Sequence, residues 1–157
     1  MKVRFYAFEG KPPAWVEDAR REYTAKLNPF VSFEVRTLKS PTAARDDAES
    51  KRRKEGELLL RQLDDRDQLI LFDESGRLAQ NSESFAKLLS QQLESGKSTL
   101  SFCIGGPYGF SEEVKARSQS RWSLSPLTLN HWLAQLMALE QIYRGLTIIK
   151  GIPYHNR

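Results

Sequence analysis

The sequence predicts an α/β protein built on an open, mostly parallel sheet with helices on both faces. Three observations carry this. Short apolar runs of strand character alternate along the chain with segments of helical period, the order that builds parallel sheets. One such run, residues 68–72, is nearly continuous in apolar residues, as a strand covered on both faces must be. Glycine- or serine-rich turns follow two later strands, at the carboxyl ends where open α/β sheets place their ligands.

In chain order, residues 2–8 alternate around Val3, Phe5 and Ala7 and read as the first strand, closed by Gly10. Pro12 and Pro13 open a helix where a missing N–H costs nothing. Trp15, Val16, Ala19, Tyr23 and Leu27 recur along it at three- and four-residue steps until Asn28-Pro29 stops it. Val31, Phe33, Val35 and Leu38 make a second strand. Residues 42–63 read as a charged helix docked by Leu58, Leu59, Leu60 and Leu63. Its Lys51-Arg52-Arg53-Lys54 cluster invites a nucleic-acid reading, but acidic residues flank it on both sides, and a solvated helix face is the preferred assignment.

The third strand, 68–72, breaks at Asp73-Glu74-Ser75-Gly76, where a loop is expected to cross the carboxyl end of the sheet. Phe85, Leu88, Leu89 and Leu93 define the next helix, with Gly96 expected at the C′ position. Residues 99–104 form a fourth strand. Ser111, Glu112 and Glu113 then start a short helix, because a serine cap and early acids suit its dipole. Residues 121–124 form a further short strand. From 130 to 143 the pattern is helical, and Glu140 is its only acidic or basic residue. Trp132, Leu133, Leu136, Met137, Leu139, Ile142 and Tyr143 wrap more than one of its faces, so it must be buried on several sides. In so small a domain a second subunit is the simplest cover. A homodimer is expected.

At 157 residues the chain is expected to be a single domain, 1–157, with a core of its own. Hydrophobic content of 39% and charged content of 28% exclude the disordered and fibrous classes. No apolar run approaches the roughly 20 residues that span a bilayer, and residues 1–3 lead directly into a strand pattern, so a cytoplasmic protein is expected. The single cysteine, Cys103, lies in an apolar run and reads as a structural thiol. With two histidines beside it the soft ligands are too few for structural zinc, and no metal is expected. The net charge of +4 is localised. Residues 97–157 hold seven basic and three acidic residues, which leaves the rest of the chain neutral. A positive excess on the half that carries the turns suits an anionic partner such as RNA.

Two turns carry the chemistry of binding. Gly105, Gly106 and Gly109 let backbone approach a ligand without a Cβ in the way, and Pro107 stiffens the turn. Its G-G-x-x-G pattern is neither the dinucleotide fingerprint nor a phosphate loop, so a structural turn and a ligand cradle both remain open. The second turn, Ser125-Pro126-Leu127-Thr128-Leu129, reads either as a helix start capped by Thr128 or Asn130, or as an adenine slot lined by Leu124, Leu127 and Leu129.

Several motifs in fixed order resemble the RlmH (YbeA-like) ribosomal RNA methyltransferases. They are Ile104-Gly105-Gly106-Pro107, Ser123-Leu124-Ser125 with Leu127-Thr128-Leu129 and His131, Tyr143-Arg144, and the terminal Pro153-Tyr154-His155. The amino end, from Gly10-Lys11 through Trp15-Val16 to Glu22-Tyr23, fits as well, so the resemblance spans essentially the whole chain. It implies a SPOUT methyltransferase fold with a C-terminal trefoil knot over about residues 100–157, and a homodimer. It also implies transfer of a methyl group from S-adenosyl-L-methionine to N3 of a pseudouridine in helix 69 of 23S rRNA, in the assembled 70S ribosome. Carried over position by position, the resemblance places Phe72, Gly105, Gly106, Leu124, Ser125, Pro126, Leu127, Thr128 and Leu129 at the cofactor. Phe72 and Pro126 depart from the family's commoner side chains there.

The N3 of a pseudouridine carries a proton and is a poor nucleophile until that proton is weakened or removed. The resemblance places the candidates in the tail. His155 is the first choice for assisting deprotonation, Tyr154 for stacking on or hydrogen-bonding the base, and Arg144 and Arg157 for charge. Without the family the same tail reads as a fraying end. His131 reads as a cap or interface residue. A non-catalytic RNA- or ribosome-binding module with the same fold is the alternative.

Overall fold

The computed structural model describes residues 1–8 and 10–156. Five strands and five helices alternate as β1 (Lys2–Phe8), α1 (Ala14–Leu27), β2 (Ser32–Leu38), α2 (Ala48–Arg61), β3 (Gln68–Leu78), α3 (Ser82–Leu93), β4 (Thr99–Ile104), α4 (Glu112–Arg117), β5 (Ser120–Ser123) and α5 (His131–Lys150). The strands form one sheet in the order β2-β1-β4-β3-β5, and every neighbouring pair is parallel. The predicted α/β class is the observed one.

The period of two along each strand sorts the side chains onto two covered faces. On one face, Val3, Phe5, Ile70, Leu100 and Phe102 pack with Leu27 of α1, Phe85 and Leu89 of α3, and Leu139 and Leu146 of α5. On the other, Tyr6, Leu69, Leu71 and Cys103 pack with Leu59 of α2 and with Phe110 and Val114. All six residues of β4 are buried, the polar Thr99 and Ser101 among them, as in a strand covered on both faces. Burial pushes the Cys103 thiol well above its ordinary pKa, the state of an unreactive structural cysteine.

Four helices begin on a side chain that accepts a backbone N–H: Asp47 from Ser50, Asn81 from Ser84, Ser111 from Val114, and Asn130 from Trp132. Each cap is worth about 1 kcal/mol. Of the two caps considered for the last helix, the structure uses Asn130.

Four boundaries differ from those predicted. The helix expected from residue 42 begins at Ala48, because Asp46 accepts the Ala43 N–H at 2.7 Å and holds the preceding segment in a turn. The loop expected at Asp73–Gly76 is instead a bulge inside β3, since pairing with β5 slips between Phe72 and Arg77 and resumes. Helix α3 runs to Leu93 with Glu94 as its cap, and Gly96, with φ of 78°, takes the left-handed conformation two residues beyond that cap. Helix α5 continues past Tyr143 to Lys150, with Gly145, Leu146 and Thr147 buried. It stops at Gly151, whose φ of 67° suits glycine. Gly151 N–H bonds Ile148 C=O and Ile152 N–H bonds Thr147 C=O, a Schellman end that turns the chain back along the helix. No helix among the described residues is long and apolar enough to cross a membrane.

Candidate active site

The bulge of β3 and the carboxyl ends of β4 and β5 open into one cleft of about 520 Å³. Phe72, Gly105, Gly106, Leu124, Ser125, Leu127, Thr128 and Leu129 all line it. Pro126 shares the second turn but is not part of the lining. The volume lies within the roughly 300–1,000 Å³ of small-molecule sites, and an apolar floor with backbone polar groups above suits a nucleoside-like ligand.

The floor is rigid for a local reason. Phe72 stacks on Phe102 with centroids 5.5 Å apart and meets Trp122 edge-on at 6.4 Å. Phe85 closes on the other side of Trp122 at 5.4 Å. Each such pair adds about 0.5–1.5 kcal/mol beyond the area it buries. The second turn is tied by serines, since Ser123 Oγ donates to Ser125 C=O at 3.1 Å and Leu127 N–H donates to Ser125 Oγ at 2.9 Å. Gly109 N–H closes the glycine turn on Gly106 C=O at 3.1 Å.

Sequence reading missed several lining residues. Asp73 and Glu74 reach the cleft from the β3 bulge, and Tyr108, Phe110, His131 and Ala134 complete it. His131 also contacts Gln135 at 2.9 Å and packs against Trp132.

Arg144, Tyr154 and His155 do not line this cleft. They form a second constellation where the turned-back tail meets α5 and the start of α3. Glu140 Oε1 is its hub: it accepts from Arg144 Nε at 2.9 Å and Nη2 at 2.5 Å, and from the Tyr154 hydroxyl at 3.1 Å. The Arg144 guanidinium lies 4.7 Å from the Tyr154 ring centroid, and Tyr143 packs edge-on to that ring at 4.7 Å. His155 Nδ1 is 3.1 Å from Arg144 Nη1, and its Nε2 is 3.1 Å from Glu83 Oε1. Because a guanidinium only donates, Nδ1 accepts from Arg144, and Nε2–H then donates to Glu83.

Burial, reinforced by the bond to Glu140, pushes the Tyr154 phenol up to about 12. Arg144's own bonds to Glu140 raise its guanidinium further above its already high value. Tyr154 is therefore a donor or a stacking surface near neutral pH and does not serve as a base. Arg157 lies outside the described residues. Glu140 and Glu83 escaped the sequence reading, although Glu140 had a visible signal: it is the lone acid on an apolar helix, four residues before Arg144.

The family model described as "Predicted SPOUT methyltransferase" matches residues 1–155. The chain is 41% identical over 156 residues to the ribosomal RNA large subunit methyltransferase H of Bdellovibrio bacteriovorus, with 99% of each chain covered. It is 40% identical over 137 residues to the protein of the same name from Flavobacterium johnsoniae, covering 87% of each. With that from Pseudomonas aeruginosa it shares 35% over 157 residues, covering 99% of this chain and 100% of the relative. The chain belongs to the SPOUT methyltransferases and, within them, to the ribosomal RNA large subunit methyltransferase H family.

Proposed function

We propose that this protein transfers a methyl group from S-adenosyl-L-methionine to N3 of a pseudouridine in helix 69 of 23S rRNA, in the assembled 70S ribosome. It acts in the cytoplasm as a homodimer whose C-terminal segment, about residues 100–157, is threaded as a trefoil knot. The observation that carries this reading is one cleft, at the β3 bulge and the carboxyl ends of β4 and β5, lined by eight of the nine residues the resemblance assigns to the cofactor.

Phe72, Ile104 and Leu124 offer apolar surface to an adenine, while the backbone of the two turns offers donors and acceptors to its edge. The bound cofactor supplies an electrophilic methyl carbon on a sulfonium. The chain must hold the base in line with it, and such positioning is worth several kcal/mol, within a ceiling of about 7–11. Proton removal from N3 falls to His155. Its Nδ1 takes the proton once Arg144 turns from that nitrogen to the developing imide oxygen, and Glu83, facing Nε2–H, stabilises the imidazolium. Glu140 holds Arg144 for this role.

Arg144, Tyr154 and His155 do not line the cleft of their own chain, which supports a site completed by the tail of a second copy. Leu127 at the cleft and Leu133 on α5 are 71% and 54% exposed, apolar surface that such a copy would cover.

Purified protein given methyl-labelled cofactor and ribosomes from a strain lacking it is expected to place label in 23S rRNA, and none in ribosomes already modified. Cofactor binding without any transfer would favour the non-catalytic binding module instead.

A further inference from the structure

The Lys51–Lys54 cluster of α2 does not behave as one solvated face. Lys54 is neutralised by Asp46 at 2.9 Å. Lys51 and Arg52 turn the other way, to the glycine turn. Lys51 Nζ donates to the Tyr108 hydroxyl at 3.0 Å and sits 4.6 Å from that ring's centroid. Arg52 Nη1 reaches Tyr108 C=O at 3.4 Å. Tyr108 itself lines the cleft and is 40% exposed. Among the described residues, neither Lys51 nor Arg52 is in an ion pair. Each engages the tyrosine through one donor, out of three on an ammonium and five on a guanidinium.

One lip of the cleft therefore carries two cations with spare donors beside an exposed aromatic ring, and Asp73 and Glu74 line the same cleft from β3. Cations that track a phosphate backbone, next to a ring on which a base can stack, are the elements of a single-strand RNA surface. Asp73 is paired with Arg121 at 3.5 Å, so on the β3 side it is Glu74 that disfavours a polyanion, opposite the two cations.

We propose that Lys51, Arg52 and Tyr108 form an RNA-docking lip: the two cations hold phosphates of the strand that carries the target base, and Tyr108 stacks on a neighbouring base. This deepens the reading of the cleft as a ribosomal RNA methyltransferase site and rests on it. The lip presents the strand from the α2 side of the glycine turn.

The test compares full-length wild type, Lys51→Ser/Arg52→Ser, Lys54→Ser and Tyr108→Leu. It measures cofactor affinity by calorimetry and binding to 23S rRNA freed of protein over a salt series. The double variant is expected to keep wild-type cofactor affinity, to bind RNA about tenfold or more weakly at low salt, and to lose about 1.4 from the slope of log K against log salt, about 0.7 for each single-strand phosphate contact. Lys54→Ser should match wild type. Tyr108→Leu should weaken RNA binding with the slope unchanged, since stacking releases no counterions. A wild-type slope in the double variant would overturn the lip, as would a defect seen with intact ribosomes and absent with protein-free RNA, which would assign these cations to a ribosomal protein. Failure of the wild type to methylate any 23S rRNA would instead remove the function on which the lip depends.

Discussion

Deleting residues 152–157 is expected to reduce methyl transfer by at least about 10³-fold while cofactor affinity stays within a few-fold of wild type. The deletion removes Tyr154 and His155, and with them the group facing Glu83 and one of the partners of Arg144. A positioned base contributes roughly 10²–10⁴-fold, and releasing Arg144 from its geometry adds to the loss. Cofactor binding should survive because no described residue of the tail lines the cleft of its own chain, and the tail of the second copy serves the target base rather than the cofactor. Some fraying at the end of α5 is also expected, since the Ile152 N–H bond to Thr147 C=O disappears. The single substitutions His155→Ala and Tyr154→Phe divide the effect. The first should act on kcat, and the second should be milder because the ring remains. Single-turnover rates beside calorimetric cofactor affinities are the check. A truncated protein with activity near wild type would remove the tail from the mechanism.

Gly106→Val is expected to weaken cofactor binding by about 10–100-fold, and the crowding responsible lies behind the turn. A Cβ at residue 106 would lie 2.8 and 3.0 Å from the two carboxylate oxygens of Glu55. That side chain cannot swing away cheaply: Glu55 is 6% exposed and accepts from Ser40 Oγ at 3.2 Å. Desolvation holds its carboxyl above the ordinary range, as expected for an acid packed under a loop. The turn must then move toward the cleft. Overpacking of this kind costs about 1–3 kcal/mol, and each 1.4 kcal/mol is tenfold in affinity. Adding Glu55→Ala to Gly106→Val should recover part of the loss. Unchanged affinity in the single variant would count against the glycine turn as cofactor cradle.

What could be read from the sequence follows from which interactions are local. Strand alternation in residues 2–8, the nearly continuous apolar run of 68–72 and the Ser111 cap are set by nearest neighbours and were legible, while the cap of the last helix was narrowed to Thr128 or Asn130. The sheet order was not, because placing β1 between β2 and β4 depends on pairings far apart in sequence. The β3 bulge carries strong turn residues in Asp73, Ser75 and Gly76, and only the late-arriving β5 keeps it in the sheet. Gly145 dilutes the helical pattern of α5, while packing against α3 overrides that weakness.

The site divides the same way. The two turns were visible through residue type, but residue type left a structural turn and a ligand cradle both open, and the resemblance assigned them to the cofactor. The tail has no periodicity, and its order comes from Gly151 and from the Glu140 hub, of which only the Glu140–Arg144 spacing was visible. The basic cluster of α2 was assigned to solvent because its flanking acids are close in sequence. Lys54 does pair with one such acid, Asp46, but Lys51 and Arg52 meet Tyr108, which is 57 residues from Lys51 and beyond the reach of any window.

The most direct measurement of the central claim is mass spectrometry of 23S rRNA from a strain lacking this protein, beside the same strain complemented with it. The expected result is loss of a single methyl group from a helix 69 pseudouridine, restored by the wild-type chain and unrestored by the chain without residues 152–157. A methylpseudouridine that persists in the deleted strain would contradict the assignment.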